Sequence, residues 1–222
     1  MQSARIAELL EPFLGKSNER RLTTDDLERI STYVDLVMRW NARVNLTTVR
    51  DSEEIVTRHF GESLFAARHL FPGLRLPSKS PAAKGCRVAD VGSGAGFPGL
   101  PIKLWAADIS LTLIESNHKK AAFLREVTRA LSLSGVEVKT DRAENLRGDR
   151  YLLVTLRAVE RFAQVLPVAA GLVAPAGRLA LLIGSAQFDN AHSLLPHFVW
   201  SKPEPIPLSS TRILAVAALP SR

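Results

Sequence analysis

Residues 87–101, Arg87-Val-Ala-Asp90-Val-Gly92-Ser-Gly94-Ala-Gly96-Phe97-Pro-Gly99-Leu-Pro101, set four glycines in an eight-residue window directly behind a short apolar run. The pattern reads as a buried strand feeding a tight turn and then a helix, the place where an open α/β sheet binds a nucleotide-like ligand. Gly92, Gly94 and Gly96 accommodate positive φ, and without a Cβ they let a ligand approach the backbone.

The acid before the turn narrows the ligand. A dinucleotide brings a pyrophosphate, which wants bare N–H groups and a helix N-terminus; S-adenosylmethionine has no phosphate and carries a sulfonium and an ammonium. Asp90 suits the cation, and it can also accept a bond from the glycine turn. Gly94, Gly96 and Gly99 satisfy a literal G-x-G-x-x-G, so a nicotinamide dinucleotide stays open. Leu111-Thr-Leu-Ile-Glu115 is a second apolar run ending in a carboxylate, 25 positions after Asp90. That is where the second strand of a βαβ unit ends, and a carboxylate there accepts both ribose hydroxyls of an adenosine. Both candidate ligands use it.

With 222 residues, 46% of them hydrophobic and 23% charged, the chain fits one α/β domain with a modest extension. Cys86, the single cysteine, precludes an intrachain disulfide and a cysteine-based zinc cluster. No apolar run reaches the length of about 18 residues that a membrane helix needs, and Met1 to Glu8 lacks a secretion-signal pattern. The cytoplasm is the expected compartment, with no membrane partner, no bound metal and a monomeric state. The net charge of +7 favours a polyanionic partner. Lys119, Lys120, Arg125, Arg129, Lys139, Arg142, Arg147, Arg150, Arg157 and Arg161 form the densest basic stretch. They are either a phosphate-tracking face or solvated helix surface.

Helical periodicity marks residues 1–15, 24–42 and 52–70, the second opening at a Thr-Thr-Asp-Asp cap. Ile30, Val34, Val37, Met38 and Trp40 should face an apolar partner. Residues 1–76 therefore form a helical extension packed on the core, 77–85 a linker or mobile loop, and 86–222 the core. From residue 86 the chain alternates: strand 87–91, helix 98–106, strand 110–114, helix 117–132, strand 136–140, strand 151–156, helix 159–173 and strand 177–183. After a break come strands 197–200 and 212–219, with no helix between them. The expectation is a Rossmann-like, mostly parallel seven-stranded sheet closed by an antiparallel C-terminal strand, the methyltransferase variation on the dinucleotide-binding fold.

Several segments together resemble one family, the bacterial small-subunit ribosomal RNA methyltransferase G, also called glucose-inhibited division protein B. They are Trp40-Asn41 through Asn45-Leu46-Thr47, Arg58-His59 with Glu62-Ser63-Leu64, Asp90 through Gly99, Glu115-Ser116 with Lys119-Lys120 and Phe123-Leu124, Arg142-Ala143-Glu144, and Arg157-Ala158. They run in family order over nearly the whole chain. The resemblance implies a class I methyltransferase that uses S-adenosyl-L-methionine to methylate N7 of a guanine in 16S rRNA, within the 30S subunit or an assembly intermediate. It implies that Gly92 and Phe97 line the cofactor pocket, to which the reading of the turn itself adds Asp90, Gly94 and Gly96. Glu115 approaches the ribose, and Ala143 and Glu144 lie along the adenine. Arg157 reaches the cofactor or the RNA beside the transferred methyl, and His59 lies near the site on the RNA side; Arg58, Lys119, Lys120 and Arg125, as basic residues, are candidates for RNA-backbone contacts.

Three positions depart from the family pattern. Glu62 stands where an aspartate is usual, Leu156 replaces a serine before Arg157, and Ile183 replaces a lysine before Gly184. Guanine N7 carries a lone pair and no proton, so its methylation needs positioning and electrostatics rather than a general base. The rival readings are a methyltransferase of the same fold with another acceptor, an NAD-dependent oxidoreductase, and a non-enzymatic RNA-binding module.

Overall fold

The computed structural model describes residues 1–15, 22–72, 85–146, 148–158 and 161–221. The expected linker lies outside the described residues except for Gly85, as does Arg147.

Three helical segments open the chain: α1 (Ser3–Leu14), α2 (Thr24–Val44), and a run made of α3 (Ser52–Glu54), a π-helical stretch Ile55–Gly61 and α4 (Glu62–Leu70). Thr23 starts α2 through a reciprocal cap, its Oγ1 accepting from Asp26 N while Asp26 Oδ2 accepts from Thr23 N. Such a cap satisfies two N–H groups that a helix start leaves open. Asn45, in the left-handed region, ends the helix. The π turn inside the expected 52–70 helix widens it at Arg58 and His59, and π-bulges concentrate at functional sites.

The core follows as β1 (Arg87–Val91), α5 (Gly99–Trp105), β2 (Ser110–Ile114), α6 (His118–Ala130), β3 (Val136–Lys139), β4 (Tyr151–Arg157), α7 (Phe162–Gly171), β5 (Val173–Gly184), α8 (Phe188–Leu194), β6 (Val199–Trp200), β7 (Glu204–Pro205) and β8 (Arg212–Ala218). The sheet runs β3-β2-β1-β4-β5-β8-β6, with β7 beside β6 on the outer side of β8. Neighbours from β3 to β5 are parallel, and β8 is antiparallel to β5. The seventh row is split into two short strands because Lys202-Pro203 interrupts it, a proline lacking the N–H a ladder uses. Two further elements were not foreseen. The break after β5 holds a short 3₁₀ turn and α8, and β5 begins four residues earlier than expected, absorbing Val173 to Ala176.

Alternation along the strands sorts side chains onto two cores. Val88, Leu113, Leu153 and Leu182 face one, shared with Ile6, Leu10, Tyr33, Val37, Phe60, Leu64 and Phe123. The helical extension is thus built into the same apolar mass as the sheet. Ala89, Val91, Val154, Leu156, Leu181 and Ile183 face the other, under α7 and α8. The chain reverses direction across the sheet between β1 and β4, and the crevice beyond their carboxyl ends is where such sheets bind ligands. Among the described residues no helix is long and apolar enough to cross a membrane.

Candidate active site

The loop after β1 is held by its own polar groups. Gly92 N and Ser93 N both donate to Ile114 O, Gly96 N donates to Ser93 O, and Gly94 N donates to Glu115 Oε2 at 2.8 Å. Glu115 Oε1 accepts from Asn117 N at 2.8 Å. Its carboxylate therefore ties the end of β2 to the glycine turn and to the start of α6, where Asn117 caps the helix.

Asp90 is buried under the same loop. Its Oδ1 accepts from Thr155 Oγ1 at 2.7 Å and its Oδ2 from Gly99 N at 3.2 Å. Burial pushes the carboxyl up to about 7, against hydrogen bonds from Thr155 and Gly99 that favour the anion. The close approach of α5 requires Gly99, since a Cβ there would lie 2.8 Å from Asp90 Oδ2.

Gly96 has a different job from the one its spacing suggests. Its φ is +87°, and a Cβ would lie 2.2 Å from Tyr33 Oη. The space belongs to Tyr33 of α2, whose hydroxyl donates to Ala95 O at 2.6 Å, and not to a ligand. Phe97 is likewise buried: its ring stacks on Tyr33 at 5.2 Å and meets Phe60 and His59 at 5.0 and 4.9 Å. Gly94 is open by contrast, with only Gly92 O near a Cβ position.

At the end of β4, Arg157 Nη2 donates to Arg58 O at 2.7 Å and His59 Nδ1 at 3.0 Å, and lies 3.2 Å from Glu62 Oε2. Because guanidinium only donates, His59 Nδ1 is the acceptor and its proton sits on Nε2, facing Thr47 Oγ1 at 2.9 Å. Burial, with Arg157, Arg58 and Arg212 nearby, pushes His59 down to about 3; it is a neutral ring at physiological pH. Both nitrogens are engaged inside the protein, so His59 orients Arg157 and has no ring nitrogen left for RNA. Burial also lowers Arg157 from its usual value while Glu62 opposes the shift.

Ala143, buried, and Glu144, exposed, sit on a short 3₁₀ turn after β3. Lys119 and Lys120 occupy the first turn of α6, whereas Arg125 Nη2 donates to Val138 O and Thr140 Oγ1 on the outer edge of the sheet. Leu156 and Ile183 are buried in the core under α7 and α8, on the sheet face opposite Arg157. Both departures from the family pattern thus lie in the apolar core. Among the described residues no cluster of His, Cys, Asp and Glu could hold a metal. Tyr33, Thr155 and Arg212 escaped the sequence reading; a lone threonine inside the apolar Leu152–Leu156 run was the one visible signal.

A mostly parallel sheet with an antiparallel last strand, a glycine turn and carboxylates ending the first two strands defines a Rossmann-like methyltransferase. Solved structures of that fold are similar to the chain. The ribosomal protein L11 methylase of Lactobacillus delbrueckii subsp. bulgaricus has a TM-score of 0.56 and 13% identity, over 75% of this chain and 80% of that one. The family model described as rRNA small subunit methyltransferase G (GidB) matches residues 26–209. Proteins named ribosomal RNA small subunit methyltransferase G are 43% identical in Halorhodospira halophila, over 71% of this chain and 69% of that one. In Xylella fastidiosa the identity is 37%, over 89% and 90%. The chain belongs to the rRNA small subunit methyltransferase G family.

Proposed function

We propose that the chain transfers a methyl group from S-adenosylmethionine to N7 of a guanine in 16S rRNA, with the cofactor between the glycine turn and Glu115. The observation that carries the cofactor assignment is the fate of the loop's N–H groups. A pyrophosphate needs them bare, yet those of Gly92, Ser93, Gly94, Gly96 and Gly99 all donate within the protein, two of them to carboxylates. The turn thus offers a pyrophosphate few bare N–H groups, and the Asp90 carboxyl beneath it suits a sulfonium and an ammonium.

Each Glu115 oxygen accepts one backbone N–H and retains a lone pair for a ribose hydroxyl. Open space at Gly94 leaves the backbone approachable, and Ala143 and Glu144 border the adenine. When bound, the cofactor supplies an electrophilic methyl on a cationic sulfur. With Glu115 and the glycine turn holding it, the cofactor would give up its methyl to N7 with the C–S electron pair left on sulfur, and the positive charge would pass to the guanine. No proton moves. The protein's part is in-line positioning, for which Arg157 is held rigid by His59, Glu62 and the Arg58 carbonyl. Lys119 and Lys120 meet the RNA backbone near the crevice mouth.

The test is transfer of labelled methyl to 30S subunits and to protein-free 16S rRNA from cells lacking this modification, with the labelled base mapped. Label at one guanine N7 is the expected result. Cofactor binding without RNA label refutes the acceptor; affinity for NADH with none for S-adenosylmethionine refutes the cofactor.

A further inference from the structure

Glu62, at the start of α4, is 1% exposed and serves two arginines from different strands. Arg212 Nη2 of β8 lies 2.6 Å from its Oε1, and Arg157 Nη2 lies 3.2 Å from its Oε2. Arg58 adds its carbonyl to Arg157 and pairs its own guanidinium with Glu54 at 2.7 Å. Side-chain exposure rises from 1% at Glu62 through 10% at Arg157 and 30% at Arg212 to 42% at Arg58. The carboxylate is a floor and the guanidiniums are the layer above it.

Arg58, Arg157 and Arg212 pair directly with only two carboxylates, Glu54 and Glu62, while the Asp90 carboxyl acts on Arg157 from beneath; His59 is neutral, its Nδ1 accepting from Arg157. Two hydrogen-bond donors are left over: Arg58 Nε and Arg212 Nε are shielded from solvent with no partner among the described residues, and Glu62 Oε1 meets Arg212 as an ion pair without a hydrogen bond. Shielded donors without acceptors are uncommon in folded proteins, and forked guanidinium donors match the geometry of phosphate. The register Arg157↔Leu182 and Gly184↔Arg212 puts both groups at the carboxyl ends of β4 and β5. Glu115 lies across the switch point at the end of β2. One half of the crevice is built for a nucleoside cation, the other for an anion.

We propose that Arg212, with Arg157 and Arg58, seats one phosphate of the RNA beside the acceptor guanine, and that Glu62 is the fixed counter-ion that keeps the three guanidiniums oriented. The proposal rests on the rRNA methyltransferase reading. It adds a contact on β8, far in sequence from the basic run of α6.

The experiment is filter binding of labelled, protein-free 16S rRNA to the full chain over a salt series, beside methyl-transfer kinetics on 30S subunits. Loss of one phosphate contact lowers the slope of log K against log salt by about 0.7 to 0.9. Arg212→Gln is expected to show that decrease and about a tenfold higher KM for 30S subunits, with S-adenosylmethionine affinity unchanged. Arg212→Lys, which retains the charge and loses the fork, is expected to keep the slope while binding several-fold more weakly. The same charge change at Arg29, paired with Asp25 on α2, should leave slope and KM alone. An unchanged slope and KM in Arg212→Gln, with only a lower melting temperature, overturns the seat and leaves a structural ion pair. Should that variant not fold, unchanged RNA affinity in Arg212→Lys overturns it equally. Normal methyl transfer by the unaltered chain with an unaffected Arg212 variant defeats only this inference; no salt-dependent RNA binding by the unaltered chain defeats it together with the proposed function.

Discussion

Replacing Asp90 by Asn isolates the charge of the carboxyl buried beneath the glycine turn. Burial raises its carboxyl from 3.8 to about 7. For an acid raised on folding, the folded state keeps a proton that the unfolded state has lost, so stability falls as pH rises from about 4 to about 7. The shift corresponds to about 4 kcal/mol, fully present above about pH 7. A bound cation reverses the imbalance. If the proposed cofactor placed its sulfonium about 6 Å away, in an effective dielectric of about 20, it would contribute about 3 kcal/mol and return the carboxyl by about two pKa units. S-adenosylmethionine affinity should therefore rise about tenfold from about pH 6 to about pH 8, with about half a proton released per binding event near pH 7. In Asp90→Asn this component vanishes, and affinity at about pH 8 drops by up to about a hundredfold. Calorimetry in two buffers of different ionisation enthalpy reads both affinity and proton release, and the ligand's own titration cancels between the two proteins. The same pH slope and proton release in both would refute the reasoning.

Glu62→Gln leaves Arg157 and Arg212 without their shared carboxylate and should lower unfolding free energy in urea by about 3 kcal/mol, the scale of breaking a buried pair. Restoring the family's usual residues gives an informative failure: Leu156→Ser and Ile183→Lys place polar groups in an apolar core, so each should destabilise by about 3 kcal/mol in the same assay without raising RNA affinity. Tyr33→Phe removes the bond to Ala95 O and should lose about 1 to 2 kcal/mol while raising KM for S-adenosylmethionine several-fold with little change in kcat. Gly96→Ala, clashing with Tyr33 Oη at a positive φ, should cost about 3 kcal/mol or more alone. Combined with Tyr33→Phe the losses should fall short of additive by about 1 kcal/mol, and strict additivity in the double-mutant cycle would sink the assigned contact.

The fold was legible where a local period and a local turn agree. Residues 87–91, 110–114 and 117–132 carry apolar runs punctuated by glycine or an Asn cap, and their structure follows those signals closely. Legibility failed where tertiary partners decide. Ala174-Pro175-Ala176 reads as a break, yet β4 pairing carries β5 through it. The site divides the same way. Asp90 and Glu115 announce themselves by ending apolar runs, a consequence of the carboxyl edge being where polar side chains meet the crevice. Gly96 announced a turn but not what fills the space beside it, because Tyr33 lies 63 positions earlier. Leu156 and Ile183 stand beside an arginine and a glycine in sequence, and adjacency alone would put them at the substrate side. A strand sends neighbours to opposite faces, so adjacency to Arg157 placed Leu156 on the wrong side of the sheet for any such role.

The helical extension follows from the same accounting. A glycine turn flexible enough to cradle a ligand has too few side chains to hold its own shape, and its conformational entropy must be removed by something outside it. Here α2 supplies Tyr33 to the Ala95 carbonyl and to the face of Phe97. The π-helical stretch supplies Phe60 and His59 to the other sides of the same ring. His59 then passes directly to Arg157. The glycine turn and Arg157 are thus fixed by one aromatic cluster contributed mainly by residues ahead of β1. A truncation that spared every β-strand but removed α2 and the π-helical stretch would still take away Tyr33, Phe60 and His59, and with them the contacts that hold the glycine turn and Arg157.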